Sequence, residues 1–156
     1  MSKPLYFPLF VDLSEKQILV VGAGKIASRR ILTLAQFAGR ITVVAPEIVP
    51  ELEPLLQDPA VLFVRRPFEP EDLSGADLVF AATNDPKVNQ QIGELARDLG
   101  IPVNVSHDQS LCDFFFPAVV SKPPMVIGLT ASGQDHRGVK ELKNKVAELL
   151  DPPEKE

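Results

Sequence analysis

Short apolar runs of strand length alternate with segments of helical periodicity along the first part of the chain. Several of these runs are rich in β-branched residues, as buried parallel strands usually are. The alternation predicts βαβ units and therefore an α/β fold with a parallel sheet. The predicted strands are 18–21, 41–44, 61–64, 78–82 and 103–105.

Two helices are predicted between these strands. Segment 25–37 carries its small and apolar residues on one stripe at helical spacing. Segment 86–99 has clearer end signals, because Asp85 can cap the first free amides and Pro86 suits the first helical position. Gly100 is placed to end this second helix.

The pattern changes after residue 105. Strands are predicted over 114–120 and 125–130 around a turn at 121–124, and a helix over 138–150 follows. An apolar stripe runs along that helix through Val139, Leu142, Val146 and Leu149. A small hairpin and helix cannot bury this stripe and three consecutive phenylalanines unaided, so we expect a second subunit to cover them.

Composition narrows the class of protein. The chain has 156 residues, 45% of them hydrophobic, which suits one domain with an appendage. Its formal charge of −5 argues against a nucleic-acid partner, because counterion release requires many lysines and arginines. The single cysteine, Cys112, excludes an internal disulfide, and neither a leader nor a bilayer-spanning apolar run is evident. We therefore expect no membrane partner and a cytoplasmic location.

A glycine-containing loop directly follows the first predicted strand and opens the first helix. Gly22 permits a tight turn, Gly24 lets the backbone approach a pyrophosphate, and Ala27 allows close helix–strand packing. The amides and dipole at the helix start favour an anion. This pattern predicts a dinucleotide-binding loop of Rossmann type, made by Gly22, Ala23, Gly24, Lys25, Ile26 and Ala27.

The ends of the second and fourth strands extend the predicted cofactor site. The acidic residue that usually holds the adenosine ribose is displaced, since Ala45 and Pro46 precede Glu47. No lysine or arginine closely follows the second strand to neutralise a 2′-phosphate, which favours NAD over NADP. The fourth strand ends at the predicted cofactor crevice, where it is followed by Ala82, Thr83 and Asn84. These residues also suit a capped turn before the next helix.

Several segments together resemble one family. Along the chain these are FPLFVDL from Phe7, VVGAGKIASRR from Val20, AATND from Ala81 with Val88–Asn89, NV at Asn104, LCDF from Leu111 and FPA from Phe116. The glycine loop is shared by many proteins, whereas the Asn-Val, Cys-Asp-Phe and Pro-Ala segments are more specific. The chain is similar to the precorrin-2 dehydrogenase family, the N-terminal module of siroheme synthases, to about residue 150.

The resemblance implies NAD-dependent oxidation of precorrin-2 to sirohydrochlorin in siroheme biosynthesis. It implies a homodimer whose C-terminal elements bury one another, and in some relatives also insertion of ferrous iron. The expected organisation is an NAD-binding domain over 1–108, a dimerisation and substrate-cleft region over 109–150, and a flexible tail over 151–156.

The expected base for the proton that accompanies hydride loss departs from the family pattern. Relatives carry an aspartate three residues after the asparagine of the Asn-Val segment, and here that position is His107, followed by Asp108. His107 can serve as a base at neutral pH, and Asp108 can substitute directly if the loop shifts by one residue. The alternative is a solvated polar loop after the fifth strand.

Precorrin-2 carries many carboxylates, so cationic and amide contacts are expected. A second departure from the family occurs after residue 130, where a small-residue loop precedes the last helix and could receive a carboxylate. The alternative there is a plain turn with a solvated helix face. The candidate substrate-binding residues are Arg29, Arg30, Asn104, Ser132, Arg137 and Lys140.

Possible metal ligands are present, but their spacing matches no closed zinc pattern. They are His107, Cys112, Asp113 and His136. Cys112 adjoins an apolar segment, where a buried structural thiol is the usual outcome. We predict no resident metal, and transient handling of iron stays open.

Two other functions fit parts of the sequence. A nucleotide-sensing regulatory domain also has a glycine loop and an Ala-Ala-Thr strand end, but it leaves the Phe-Phe-Phe-Pro-Ala segment without a role. A family member that binds a tetrapyrrole without turnover is suggested by the replacement at His107. Turnover with NAD distinguishes the enzyme from both.

Overall fold

The computed structural model describes residues 3–151. These residues form two compact units, one running from Val11 to Phe115 and the other combining the segment that ends at Phe10 with the segment that begins at Phe116. Apart from Asp151, the predicted flexible tail lies outside the described residues.

The first unit is built on a five-stranded parallel sheet. Its strands are β1 (Gln17–Val21), β2 (Arg40–Val44), β3 (Val61–Val64), β4 (Leu78–Ala81) and β5 (Val103–Val105). Their order across the sheet is β3-β2-β1-β4-β5, so the direction of strand succession reverses between β1 and β4. Ligands of open α/β sheets bind at such a switch point, beyond the carboxyl ends of the strands. The predicted Rossmann-type parallel sheet is confirmed.

Two helices pack on this sheet, α1 (Lys25–Leu34) and α2 (Pro86–Asp98). The Asp85 carboxylate caps α2 by accepting from the Lys87 amide at 2.9 Å, as predicted. The prediction for α1 was three residues too long, because the chain tightens after Leu34 and the amides of Phe37 and Ala38 both donate to the Leu34 carbonyl.

Three short 3₁₀ helices were not predicted. They span Pro50–Gln57, Pro70–Leu73 and Gln109–Leu111. Two of them begin with proline, and the first also contains Pro54. Each buries at most one side chain, Leu52 or Leu73, so no apolar periodicity marks them in the sequence.

The second unit contains an antiparallel pair and a helix. They are β6 (Ala118–Lys122), β7 (Met125–Leu129) and α3 (His136–Leu150), and α3 lies against β6. The predicted hairpin and helix are confirmed, but β6 begins four residues later than expected. Phe114 does not belong to it, because its ring packs edge-on against Phe80 of the first unit's core, with centroids 5.3 Å apart.

Burial separates the two units clearly. In the first unit the strands, α1 and α2 bury an apolar core that includes Ile18, Val20, Ile31 and Phe80. Ile92 of α2 belongs to a buried cluster with Leu19 and Val21. In the second unit α3 has no fully buried residue. No helix within residues 3–151 is long and apolar enough to cross a membrane.

Candidate functional site

The glycine loop lies where β1 passes into α1, at the switch point of the sheet. Gly22 has a φ of 108°, and its amide donates to the Val44 carbonyl at 2.9 Å. A Cβ atom on Gly22 would lie 2.3 Å from the carbonyl oxygen of Ala82. Glycine is therefore required here by the backbone of the neighbouring strand β4.

Gly24 is glycine for a different reason. Its φ of −81° is open to any residue, and a Cβ there would meet nothing nearer than Asn84 Oδ1 at 3.7 Å. No side chain caps α1, and no acidic residue lies in its first turn. The amides at the start of α1 thus lie beside an open approach that fits a pyrophosphate.

The other residues of the loop divide by burial. Ala23 and Ala27 are buried, and Ala27 has no exposed surface, which allows the close helix–sheet packing predicted for it. Lys25 and Ile26 are exposed beside the helix start. The Val49 amide donates to the Ala23 carbonyl at 3.2 Å, so the segment after β2, which contains the exposed Glu47, is tied to the loop.

Beyond β4 a polar network joins the strand end to α2. Asn89 is buried, and its Oδ1 accepts from the Thr83 amide at 2.9 Å and from the Thr83 hydroxyl at 2.6 Å. Its Nδ2 donates to the Thr83 carbonyl at 3.0 Å. Ala82 is buried and Asn84 is exposed, so Thr83 and Asn84 form the rim at this strand end.

The same network reaches His107. The second contact of Asn89 Nδ2 is His107 Nδ1 at 3.4 Å, while the ring itself is largely exposed. Asn89 lies in one of the segments that carry the family resemblance, but the sequence alone assigns it no role. The available signal was a polar side chain on the buried stripe of α2, in line with Ile92, Gly93 and Ala96.

Asp108 is engaged in local contacts. Its Oδ1 accepts from the Ser110 hydroxyl at 2.6 Å and from the Ser110 amide at 2.9 Å. The hydrogen bond from the Ser110 side chain, followed by that from its backbone, lowers the pKa of the Asp108 carboxyl. These contacts make Asp108 a weaker base than an unbonded aspartate.

Arg30 and Asn104, two predicted substrate-binding residues, bind each other. One terminal nitrogen of Arg30 donates to Asn104 Oδ1 at 2.5 Å and to the Ser106 hydroxyl at 3.1 Å. Asn104 is buried and donates in turn to the Phe114 carbonyl at 2.9 Å. Burial lowers the pKa of the Arg30 guanidinium. Arg29, by contrast, is exposed on the next position of α1.

The remaining candidate residues belong to the second unit. Ser132 is buried, has a φ of 54°, and accepts from the Tyr6 amide at 3.0 Å. Arg137 donates to Glu141 at 3.0 Å along α3, and Lys140 is exposed. The carboxylate of Asp135 accepts from the Gly138 amide at 2.7 Å, so a protein side chain already caps α3. This favours the plain-turn alternative at the start of that helix.

The Cys-Asp segment that contributed to the family resemblance protects the open edge of the sheet. Asp113 Oδ2 accepts from the Val103 amide at 3.0 Å, and Cys112 Sγ accepts from the Val105 amide at 3.1 Å. Burial raises the pKa of the Cys112 thiol, as for a structural cysteine. No group of three or more His, Cys, Asp or Glu side chains within the described residues is placed to hold a metal ion.

The comparisons with known proteins agree with this geometry. The family model NAD_binding_7, described as "Putative NAD(P)-binding", matches residues 9–118. The chain belongs to this NAD(P)-binding family. Membership confirms the predicted nicotinamide dinucleotide cofactor, and the glycine loop stays the predicted place for it.

Curated relatives are siroheme synthases. The chain is 38% identical over 145 residues to "Siroheme synthase" of Zymomonas mobilis subsp. mobilis, covering 93% of this chain and 31% of that protein. It is 36% identical over 146 residues to "Siroheme synthase" of Nitrosomonas europaea, again covering 93% and 31%. The chain therefore spans about a third of the length of these relatives.

A solved structure is also similar to this chain. "SirC, precorrin-2 dehydrogenase" matches with a TM-score of 0.73 and 26% identity, covering 94% of this chain and 72% of that one. The match includes the hairpin and helix after the parallel sheet, because it extends over nearly the whole chain. Together with the siroheme synthases it confirms the family resemblance found in the sequence.

Proposed function

We propose that this chain oxidises precorrin-2 to sirohydrochlorin with NAD as the acceptor. The observation that carries the proposal is the dinucleotide loop with Gly24 open to a pyrophosphate, in a chain similar to siroheme synthases and to SirC. Precorrin-2 loses two hydrogens, one as a hydride with its electron pair and one as a proton. When bound, NAD would accept the hydride and would be reduced to NADH.

Different residues of the first unit are assigned to different parts of the cofactor. The α1 amides at Gly24, Lys25 and Ile26 hold the pyrophosphate, and Ala82, Thr83 and Asn84 border the crevice from β4. We assign the ribose contact to Glu47. NAD is favoured over NADP because no cationic side chain follows β2 closely to neutralise a 2′-phosphate.

The tetrapyrrole is proposed to lie beyond the carboxyl ends of β4 and β5. His107 lies there in contact with Asn89, with Asp108 next to it, and both remain our catalytic candidates. Arg29, Arg137 and Lys140 are exposed cations that can pair with substrate carboxylates. Arg30 and Asn104 are held by protein partners, so we assign them to shaping this end of the sheet. Ser132 is held by the Tyr6 amide within the second unit.

The wider organisation is also part of the proposal. We assign cofactor binding to residues 1–108 and dimerisation and the substrate cleft to residues 109–150. Support for a homodimer comes from α3, which leaves Leu142 49% and Leu149 80% exposed. A cytoplasmic location fits a biosynthetic enzyme that uses a soluble dinucleotide.

The decisive experiment is an anaerobic assay with enzymatically generated precorrin-2, the purified chain and NAD. NADH and sirohydrochlorin are followed by absorbance, and we expect them to appear in equal amounts. Ferrous iron is added afterwards to test for insertion into the product. A rate of iron insertion above that measured without protein shows that the chain is also a chelatase. NADP in place of NAD tests the cofactor preference.

The two alternative functions predict that neither NADH nor sirohydrochlorin forms in this assay. If a known precorrin-2 dehydrogenase turns over in parallel and this chain does not, the proposal is wrong. Calorimetric titration with NAD and with the tetrapyrrole then separates the alternatives. Binding of NAD alone indicates a regulatory module, and binding of the tetrapyrrole indicates a family member without turnover.

A further inference from the structure

The orientation of the Asn89 amide is fixed by the Thr83 backbone. The Thr83 N–H can only donate, and it lies 2.9 Å from one terminal atom of the Asn89 side chain, which must therefore be the oxygen. The other terminal atom lies 3.0 Å from the Thr83 carbonyl, which can only accept, so it must be the nitrogen. Both ends of the amide are thus assigned by groups that have no alternative role.

This assignment determines the proton on His107. The atom that faces Nδ1 of the ring at 3.4 Å is Asn89 Nδ2, a donor without acceptor capacity. A neutral imidazole has one acceptor and one donor nitrogen, so Nδ1 accepts and Nε2 carries the hydrogen. A proton on Nδ1 would place two donors face to face, which disfavours the other tautomer of the neutral ring.

Neighbouring contacts keep the ring in this position. The Ser106 amide donates to the Ala81 carbonyl at 3.0 Å, and the Asp108 amide donates to the Val105 carbonyl at 3.3 Å. Arg30 holds the Ser106 hydroxyl from α1. His107 therefore lies in a segment tied to β4, β5 and α1, with its Asn89 contact on one side and an exposed ring on the other.

We propose that Asn89 is a positioning residue that holds the neutral His107 ring in the tautomer that donates through Nε2–H. In the dehydrogenase this makes His107 a donor to an acceptor atom of the substrate, such as a carboxylate or a ring nitrogen, and not the base. The proton lost with the hydride then passes to Asp108 or to solvent water. The substrate part of this inference rests on the proposed function, whereas the tautomer does not.

The tautomer can be measured directly because the chain has two histidines. Long-range ¹H–¹⁵N spectra of the ¹⁵N-labelled protein at about pH 8.5, where imidazoles are neutral, distinguish a protonated Nε2 from a protonated Nδ1. A His136→Gln variant assigns the two rings. We expect Nε2–H alone for His107, while the exposed His136 at the start of α3 exchanges between both tautomers. Protonated Nδ1 at His107 in the native chain overturns the proposal.

Two variants test the role of Asn89. In Asn89→Asp an acceptor oxygen replaces the donor opposite His107, so we expect the proton to move to Nδ1. Asn144→Asp on the exposed face of α3 makes the same change of charge and should leave His107 unaltered. If Asn89→Asp does not fold, Asn89→Ala removes the donor and should make His107 exchange like His136. A His107 signal unchanged by loss of the Asn89 amide contradicts the inference.

Measurements of turnover distinguish His107 as a hydrogen-bond donor from His107 as a general base. His107→Gln retains an N–H donor but has no basic nitrogen, so we expect it to lose less than about tenfold in kcat/KM, because a hydrogen bond to the substrate stays possible. His107→Phe has neither, and we expect a loss of about 10- to 100-fold, the range for a hydrogen bond to a charged group. A loss of about 10²- to 10⁴-fold in His107→Gln, typical of a missing base, overturns the donor role. If the native chain shows no turnover, the proposed function fails while the tautomer result stands.

Discussion

At the scale of single residues, identical amino acids in the glycine loop meet different requirements. Gly22 is needed by the protein itself, since its φ of 108° and the nearby Ala82 carbonyl exclude a side chain. Gly24 has an ordinary φ and space for a Cβ atom, so the folded protein alone does not require glycine there. The requirement at Gly24 is then attributable to the cofactor.

We predict that Gly24→Ala folds normally but weakens NAD binding at least about tenfold, or about 1.4 kcal/mol, because the methyl group occupies the approach of the pyrophosphate. Gly22→Ala is expected to lose roughly 2–3 kcal/mol of stability from strain and backbone contact. Thermal unfolding and calorimetric titration with NAD measure the two effects. Unchanged NAD affinity in a folded Gly24→Ala variant would show that the cofactor does not approach this residue.

At the scale of elements, the sequence predicted those parts of the fold that have a periodic or capped pattern. The five strands, the Asp85 cap and the final hairpin and helix all have such a pattern. The 3₁₀ helices lack one, and the end of α1 is set by a turn around Leu34 that involves no glycine or proline. The start of β6 was misplaced because three phenylalanines resemble a strand locally, whereas Phe114 packs against Phe80.

The candidate site shows the same division. The glycine loop was predictable because close approach to a pyrophosphate restricts residue size within one short segment. The link between Thr83, Asn89 and His107 joins two strand ends and a helix, and no local spacing encodes it. Likewise, the pairing of Arg30 with Asn104 depends on the sheet order, which brings α1 and β5 together.

A short 3₁₀ helix supplies the clearest pH-dependent contact. Asp72 accepts from two Arg66 nitrogens, at 2.6 and 2.8 Å, and from the Glu69 amide at 2.8 Å. The Arg66 side chain is the main cause that lowers the pKa of the Asp72 carboxyl. Since the folded-state pKa lies below the unfolded one, the contribution to stability is complete above about pH 3.9, the ordinary aspartate value. It is lost as the pH falls through the native pKa.

We predict that Asp72→Asn lowers the free energy of unfolding by about 1 kcal/mol at pH 7, a value limited by the partial exposure of Arg66. The difference from the native chain should shrink below about pH 4, where the native carboxylate also becomes protonated. Urea unfolding at several pH values measures it. Glu53→Gln, an exposed change on the first 3₁₀ helix, is the control and should show no such convergence. A difference independent of pH would contradict the ionic origin of the stabilisation.

At the scale of the whole molecule, the second unit carries more apolar surface than a small hairpin and helix can cover. Within that unit Leu5, Phe7, Leu9 and Phe10 are exposed, together with Met125, Leu142 and Leu149. An accumulation of large exposed apolar side chains usually marks an interaction site. The first unit encloses its own core, so any association is expected to involve the second unit.

The proposed homodimer therefore depends on the apolar stripe of α3. We predict that the native chain sediments at twice its monomer mass at micromolar concentration, and that the double variant Leu142→Asp, Leu149→Asp sediments as a monomer, because carboxylates cannot be buried unpaired in an apolar interface. Asn144→Asp lies on the opposite side of the same helix and should remain dimeric. If the double variant stays dimeric and folded, the interface lies elsewhere.

If it loses precorrin-2 oxidation while retaining NAD affinity, the substrate site requires the second subunit, whereas retained oxidation by the monomer would mean that one chain holds the complete site.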